Sequence, residues 1–236
     1  MKKGIWLILV ASLLMISCGV ESFITIKGNG QIVQENYKFT DFEKLNISGS
    51  IDVVYHKSSS YSAKVTADEN IQPYVLIAER NKTLDIKLKS GSYSYKKLLV
   101  EVYAPDLSVV DLKGSGDFKA NDKITTNEFW GSISGSGNFK GNLNCEKIKM
   151  SISGSGDIQI EGETHDLIVD ISGSGNFDGK KLQSKIADIK VSGSGDASVF
   201  VTESLNAAIN GSGDIRYLGD PHFSTKILGS GSVHKL

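Results

Sequence analysis

ISGSGN occupies residues 133–138, and the chain writes it again, nearly unchanged, towards its end. ISGSGD follows at 152–157, ISGSGN at 171–176, VSGSGD at 191–196 and INGSGD at 209–214. LKGSGD at 112–117 precedes this series and ILGSGS at 227–232 closes it. The first glycines of the GSG units stand at 114, 135, 154, 173, 193, 211 and 229, in steps of 21, 19, 19, 20, 18 and 18 residues. A fixed period near 19 residues is a repeat architecture, and periods of this size belong to solenoids.

The residues around each GSG unit keep their character from repeat to repeat. Two before the first glycine come Leu112, Ile133, Ile152, Ile171, Val191, Ile209 and Ile227. Six before it, from the second repeat on, come Phe129, Ile148, Leu167, Ala187, Leu205 and Phe223. Four after it come Phe118, Phe139, Ile158, Phe177, Ala197, Ile215 and Val233. Apolar residues alternating with Ser, Lys, Asp and Asn mark strands with one buried face. One repeat cannot bury that face alone, whereas stacked copies pairing in parallel can. The fold class predicted is all-β: a right-handed parallel β-helix of about 18–21 residues per coil with a β-rich N-terminal section. Rungs about 4.8 Å apart make seven coils a rod roughly 30–35 Å long. Stretches such as KGNLNCEK and DGKKLQSK read as variable connections between strands.

The glycines read as corners, where the chain bends without a Cβ in the way. The Ser between them and the Asp or Asn after them are expected to offer side-chain oxygens to N–H groups at the bend. The acidic column Asp117, Asn138, Asp157, Asn176, Asp196, Asp214 raises the question of calcium. Asn separates most of the carboxylates and hydrogen-bonds well in a stack. No metal and no cofactor are expected; Asp157, Asp196 and Asp214 are the only candidate column.

Residues 23–110 carry no GSGD but alternate like strands: FITIKG, LNISGSIDVVYHK, YSAKVTADENI, TLDIKLKS and LLVEVYAPDL. ISGSIDVVY at 47–55 reads as a degenerate first copy of the repeat. Pro73 excludes a central-strand position. Caps are expected, because open solenoid ends invite edge-to-edge pairing. ISGSIDVVYHKSSSYSAKVTADENI, NKTLDIKL, LLVEVYAPDLSVVDLKGSGDF and the serial ISGSGN/D units, in that order, resemble the putative auto-transporter adhesin, head GIN domain family. The resemblance covers roughly residues 40 to 230. It implies a lipid-anchored or secreted bacterial β-helix with an adhesive role, and it brings no catalytic residues.

The chain opens MKKGIWLILVASLLMISC. Lys2 and Lys3 precede an apolar stretch from Ile5 to Ile16, shorter than the roughly 20 residues a membrane span takes. It reads as a secretory signal. Met15-Ile16-Ser17-Cys18 resembles the lipobox of bacterial lipoproteins, which implies a lipid on Cys18. The only other cysteine is Cys145, so lipidation of Cys18 leaves it unpaired. The organisation expected is a signal peptide at 1–17, a lipidated cysteine and linker at 18–36, and a solenoid at 37–236. Within the solenoid, 37–110 forms irregular coils and a cap, and 111–236 the regular repeats.

Net charge is −1, so a nucleic-acid partner is not expected. Function reads first as a non-enzymatic, lipid-anchored envelope protein, an adhesin or binding scaffold for a glycan or protein. Its expected place is the cell envelope, at the outer membrane. SGSYSYKK supplies a candidate binding loop, Tyr93, Tyr95, Lys96 and Lys97, whose amphipathic tyrosines suit sugar or protein; the alternative there is a solvated hairpin. A polysaccharide lyase or hydrolase is the second reading, by analogy of fold alone. Such chemistry wants non-repeating carboxylates across a groove, and the acidic residues here fall mainly in repeated columns or loops; EGETHD around His165 reads as a polar turn. An envelope assembly or regulatory protein is the third.

Overall fold

The computed structural model describes residues 25–236. Cys18 and the apolar leader, with the signal peptide and lipid anchor expected there, lie outside the described residues. Two short strands come first, β1 (Thr25–Lys27) and β2 (Ile32–Lys38). They are followed by β3 (Lys44–Gly49), β4 (Asp52–Lys57) and β5 (Ser62–Asp68). A single 3₁₀ turn, Gln72–Tyr74, holds Pro73 away from any sheet. Next are β6 (Val75–Arg80), β7 (Thr83–Leu88), β8 (Ser92–Ser94) and β9 (Leu98–Ala104). The regular part begins with β10 (Val109–Gly114), β11 (Phe118–Ala120) and β12 (Ile124–Gly135). It continues through β13 (Phe139–Gly154), β14 (Ile158–Gly173), β15 (Phe177–Gly193) and β16 (Ala197–Gly211). β17 (Ile215–Leu218), β18 (His222–Gly229) and β19 (Val233–Lys235) end the chain.

These strands wind into an all-β solenoid. Each coil pairs in parallel with the next at equivalent repeat positions: Ile133 lies opposite Ile152, Ile152 opposite Ile171, and Gly154 between Gly135 and Gly173. Along the face before each GSG corner the stack runs β7, β3, β10, β12, β13, β14, β15, β16, β18. Nine rungs make the rod about 40 Å long at the usual strand spacing, two spacings longer than the repeats alone predict. KGNLNCEK and DGKKLQSK are not loose connections, because β13 and β15 run straight through them. EGETHD is likewise no turn: it lies within β14.

The threading departs from chain order. Lys44–Lys57 is the first repeat-like copy in sequence but the second rung in space. β3 lies between β7 and β10, and β4 between β9 and β11. Antiparallel strands then close the end: β6 on β7, β5 on β9, and β2 on β5. Residues 25–36, expected to be linker, instead contribute β1, which pairs with β8, and most of β2. The antiparallel strands β2, β5 and β6 make up the cap at this end.

The apolar columns face inward. Phe129, Ile148, Ile152, Phe118, Phe139 and Phe177 are all at most 1% exposed. Burying a side chain of this size stabilises the fold by about 1.5–3 kcal/mol. The same columns surface at the last described rung, where Phe223 is 58% and Ile227 41% exposed because no described residue packs over them.

The corner repeats with little change. Gly154 sits at φ +136°, and a Cβ there would lie 2.2 Å from the carbonyl oxygen of Gly135. Gly156 has no such dihedral, but its Cβ would lie 2.0 Å from the oxygen of Gly137. The first glycine is therefore fixed by dihedral and contact together, the second by contact alone. The Ser between them does not do what the sequence suggests. Ser155 N–H and Gly156 N–H both donate to the Gly135 carbonyl, at 2.9 and 3.2 Å. The coil below has already satisfied the bend, and the Ser155 side chain is exposed.

Candidate functional site

The Asp/Asn residues that follow each GSG form a continuous ladder. Each side-chain oxygen accepts the backbone N–H of its counterpart one coil on: Asp117 from Asn138 (2.9 Å), Asn138 from Asp157 (3.2 Å), Asp157 from Asn176 (2.9 Å), and Asn176 from Asp196 (3.0 Å). Asn138 and Asn176 also donate their amides to Asp117 and Asp157, at 2.9 Å each. Asn therefore supplies the donors a carboxylate lacks, which accounts for the alternation. Where two Asp stand adjacent, Arg216 reaches both, Asp196 at 2.9 Å and Asp214 at 3.2 Å. Hydrogen bonds from Ser232, with Arg216 assisting, hold Asp214 below the usual carboxylate range. In the candidate metal column, then, Asp157, Asp196 and Asp214 each spend an oxygen on the next coil. Among the described residues no group of three or more His, Cys, Asp or Glu is arranged to hold a metal.

A trough runs beside this ladder on the outer face of the coils. Two adjoining depressions of about 370 and 460 Å³ share Lys119, Lys140 and Gln159. Three registers build the floor column: Lys119 opposite Lys140, Lys140 opposite Gln159, and Gln159 opposite Asp178. The next outward column is Asn142, Glu161, Lys181. A β-bulge in β15 shapes the far end. Gln159 pairs with Asp178 and Glu161 with Lys181, so Gly179 and Lys180 together oppose Ile160. Bulges re-aim side chains, and this one leaves Lys180 and Lys181 both exposed on the same wall. Lys180 pairs with Asp178 at 3.4 Å. Lys119, Lys123, Lys140 and Lys181 have no ion-pair partner among the described residues. Two ammonium groups one rung apart repel by about 1 kcal/mol in water.

The candidate loop is tied down on both sides. β8 pairs in parallel with β1, placing Tyr93 opposite Ile26. Tyr93 Oη donates to the Lys89 carbonyl at 2.9 Å, and Tyr95 Oη to the Ser50 carbonyl. Lys96 and Lys97 donate their backbone N–H groups to Asp68 Oδ2 at 2.9 and 3.0 Å, and Gly30 donates to Oδ1 at 2.7 Å. These bonds, Lys97 foremost, hold the Asp68 carboxyl below its usual range. The loop is thus a buttress of the cap, with Tyr93 and Tyr95 half-buried and Ser94, Lys96 and Lys97 exposed. It stands apart from the trough and shares no lining residue with it.

Cys145 is buried within β13, and burial pushes its thiol up, away from reactivity. His165 Nδ1 lies 2.9 Å from Asp166 Oδ1. Trp130 is 51% exposed and carries Lys149 over its ring at 5.6 Å. Neither Trp130 nor the lysine column stands among the residues expected from the sequence. The lysine signal was present, since Lys119 and Lys140 each stand five residues after the first glycine of their repeat.

Comparison with known proteins bears on the whole solenoid. A family model described as "Putative auto-transporter adhesin, head GIN domain" matches residues 41–221. A crystal structure of a "putative adhesin" from Bacteroides fragilis NCTC 9343 superposes with a TM-score of 0.86 at 26% identity, covering 89% of this chain and 100% of that one. A "putative adhesin" from Parabacteroides distasonis ATCC 8503 gives 0.75 at 27% identity, covering 90% and 100%. A "putative lipid binding protein" from the same organism gives 0.73 at 27%, covering 90% and 99%. No curated protein matches the chain.

Proposed function

The chain belongs to the putative auto-transporter adhesin, head GIN domain family, and from that premise we propose that it is a non-enzymatic adhesin or binding scaffold of the bacterial cell envelope. The observation that carries this reading is the trough: a long recess on the outside of a rigid rod, built from side chains that bind rather than react. Its carboxylates each have a partner on at least one oxygen, Asp117 and Asp157 in the ladder, Glu161 with Asn142 at 3.3 Å, and Asp178 with Lys180. A glycosidase sets an acid and a base or nucleophile across one bond, whereas Asp117 and Asp157 belong to a column repeated coil after coil, so the lyase or hydrolase reading finds no support in the geometry. The adhesin descriptions of the Bacteroides and Parabacteroides structures support binding as the activity.

In this proposal residues 1–17 are a signal peptide. Cys18 carries lipid that holds the protein at the outer membrane, and residues 25–236 form one domain. The coil is right-handed, the hand that parallel crossovers adopt almost without exception. Ligand is a glycan or protein, taken up in the trough, with Tyr93, Tyr95, Lys96 and Lys97 as a second contact region.

Two experiments test this. Cys18→Ala should move the protein from the membrane fraction to the soluble one; a variant that still sediments with membranes removes the anchor. The purified chain should bind at least one member of a panel of glycans and extracellular-matrix proteins, with calcium or with chelator. Silence across the whole panel would remove the adhesin reading.

A further inference from the structure

We propose that the trough binds an acidic polysaccharide, one whose sugars carry carboxylate or sulfate groups; this rests on the adhesin reading and names its ligand class. The chain's net charge is −1, yet five lysines, Lys119, Lys123, Lys140, Lys180 and Lys181, line one recess. Lys119 and Lys140 are stacked in register on neighbouring rungs, where like charges directly opposite each other are unfavourable. The bulge in β15 adds Lys180 and Lys181 beside them, and Lys123 closes the group. An anion in the recess would offset the repulsion between them.

Three features select a sugar chain over other polyanions. The lysines are interleaved with the amides of Asn121 and Gln159, groups that pair with hydroxyls, and with the carboxylates of Glu161 and Asp178. The opposite flank is the acidic ladder, with Asp52, Asp117 and Asp157 lining it. The ladder uses Oδ1 of Asp117 and of Asp157, which leaves Oδ2 of each exposed carboxylate to accept from sugar hydroxyls. No aromatic side chain is exposed in the lining on which a nucleic-acid base would stack, Phe118 and Phe139 both being buried. The recess crosses the rungs of β4, β11, β13, β14 and β15, about 20 Å at the usual spacing, long enough for an oligosaccharide rather than a single unit.

The test uses the full chain in detergent micelles, titrated with polygalacturonate, dextran sulfate and neutral dextran, and separately with vesicles containing phosphatidylglycerol. The expected result is binding to polygalacturonate or dextran sulfate and not to dextran. It should weaken at least tenfold in Lys119→Gln/Lys140→Gln and be unchanged in Lys226→Gln, a lysine on the last rung. Both variants should melt with the parent, since the substituted side chains are exposed. Equal affinity of the double variant and the parent would overturn the assignment of the site. Preference for the vesicles would overturn it in favour of a lipid headgroup. Binding only to neutral glycans or proteins would overturn the acidic ligand while leaving the adhesin reading intact, and binding to nothing in either panel would overturn both.

Discussion

At Gly154 a methyl group would collide with a carbonyl of the coil below, and at Ser155, one residue on, the side chain meets only water. Gly154→Ala should therefore cost several kcal/mol, combining a forbidden dihedral with a backbone clash that no side-chain rotation relieves. Ser155→Ala should change stability by less than about 0.5 kcal/mol. Denaturant melts of the two variants check both; equal costs would mean that the hydroxyl has a role the hydrogen bonds do not show. Asp68 gives the pH counterpart. Its carboxyl is held below the ordinary value by the N–H groups of Lys97, Gly30 and Lys96. A group whose pKa is lower in the folded state stabilises that state fully above the ordinary carboxylate pKa, about 3.9. The stabilisation is lost as pH falls through the depressed folded value. The cap around Tyr93 and Tyr95 should thus loosen first in acid, seen as early movement of their resonances, and Asp68→Asn should remove that step.

The strands show which parts of the molecule a sequence can disclose. Period-2 alternation writes burial directly, so Leu112, Ile133, Ile152, Ile171, Val191 and Ile209 could be assigned inward before any coordinates, and all are 2% exposed or less. Phe223 belongs to the same kind of column and is exposed, because alternation reports the face of a strand and not whether another rung covers it. Phe129→Ala should cost about 3–5 kcal/mol, the range for a buried Phe, and Phe223→Ala less than about 1 kcal/mol. Near-equal losses would mean that the last rung is covered in solution. The trough was half legible. Its lysine column follows from aligning the repeats, but the bulge that adds Lys180 depends on how β14 and β15 fit, which the spacing of glycines does not encode. The ladder was anticipated as stacked Asn and Asp; that each oxygen serves the next coil and not its own bend emerges only from the register.

Over the whole molecule, the least legible feature was the order of the first rungs. A sequence gives neighbours along the chain, and nothing in ISGSIDVVY says that residues 83–104 will slot in on one side of it and 109–120 on the other. That interleaving has a mechanical consequence. A pull on the N-terminus would first peel β1 from β8 and β2 from β5, one strand from one partner at a time. The next segment, Lys44–Lys57, is gripped from both sides, by β7 and β9 below and by β10 and β11 above. It cannot be drawn out without tearing two ladders together. The cap is a compliant fuse and the second rung is the latch behind it. Under rising tension the chain should give a short extension at low force, then hold, with the repeats and their trough still intact behind the latch.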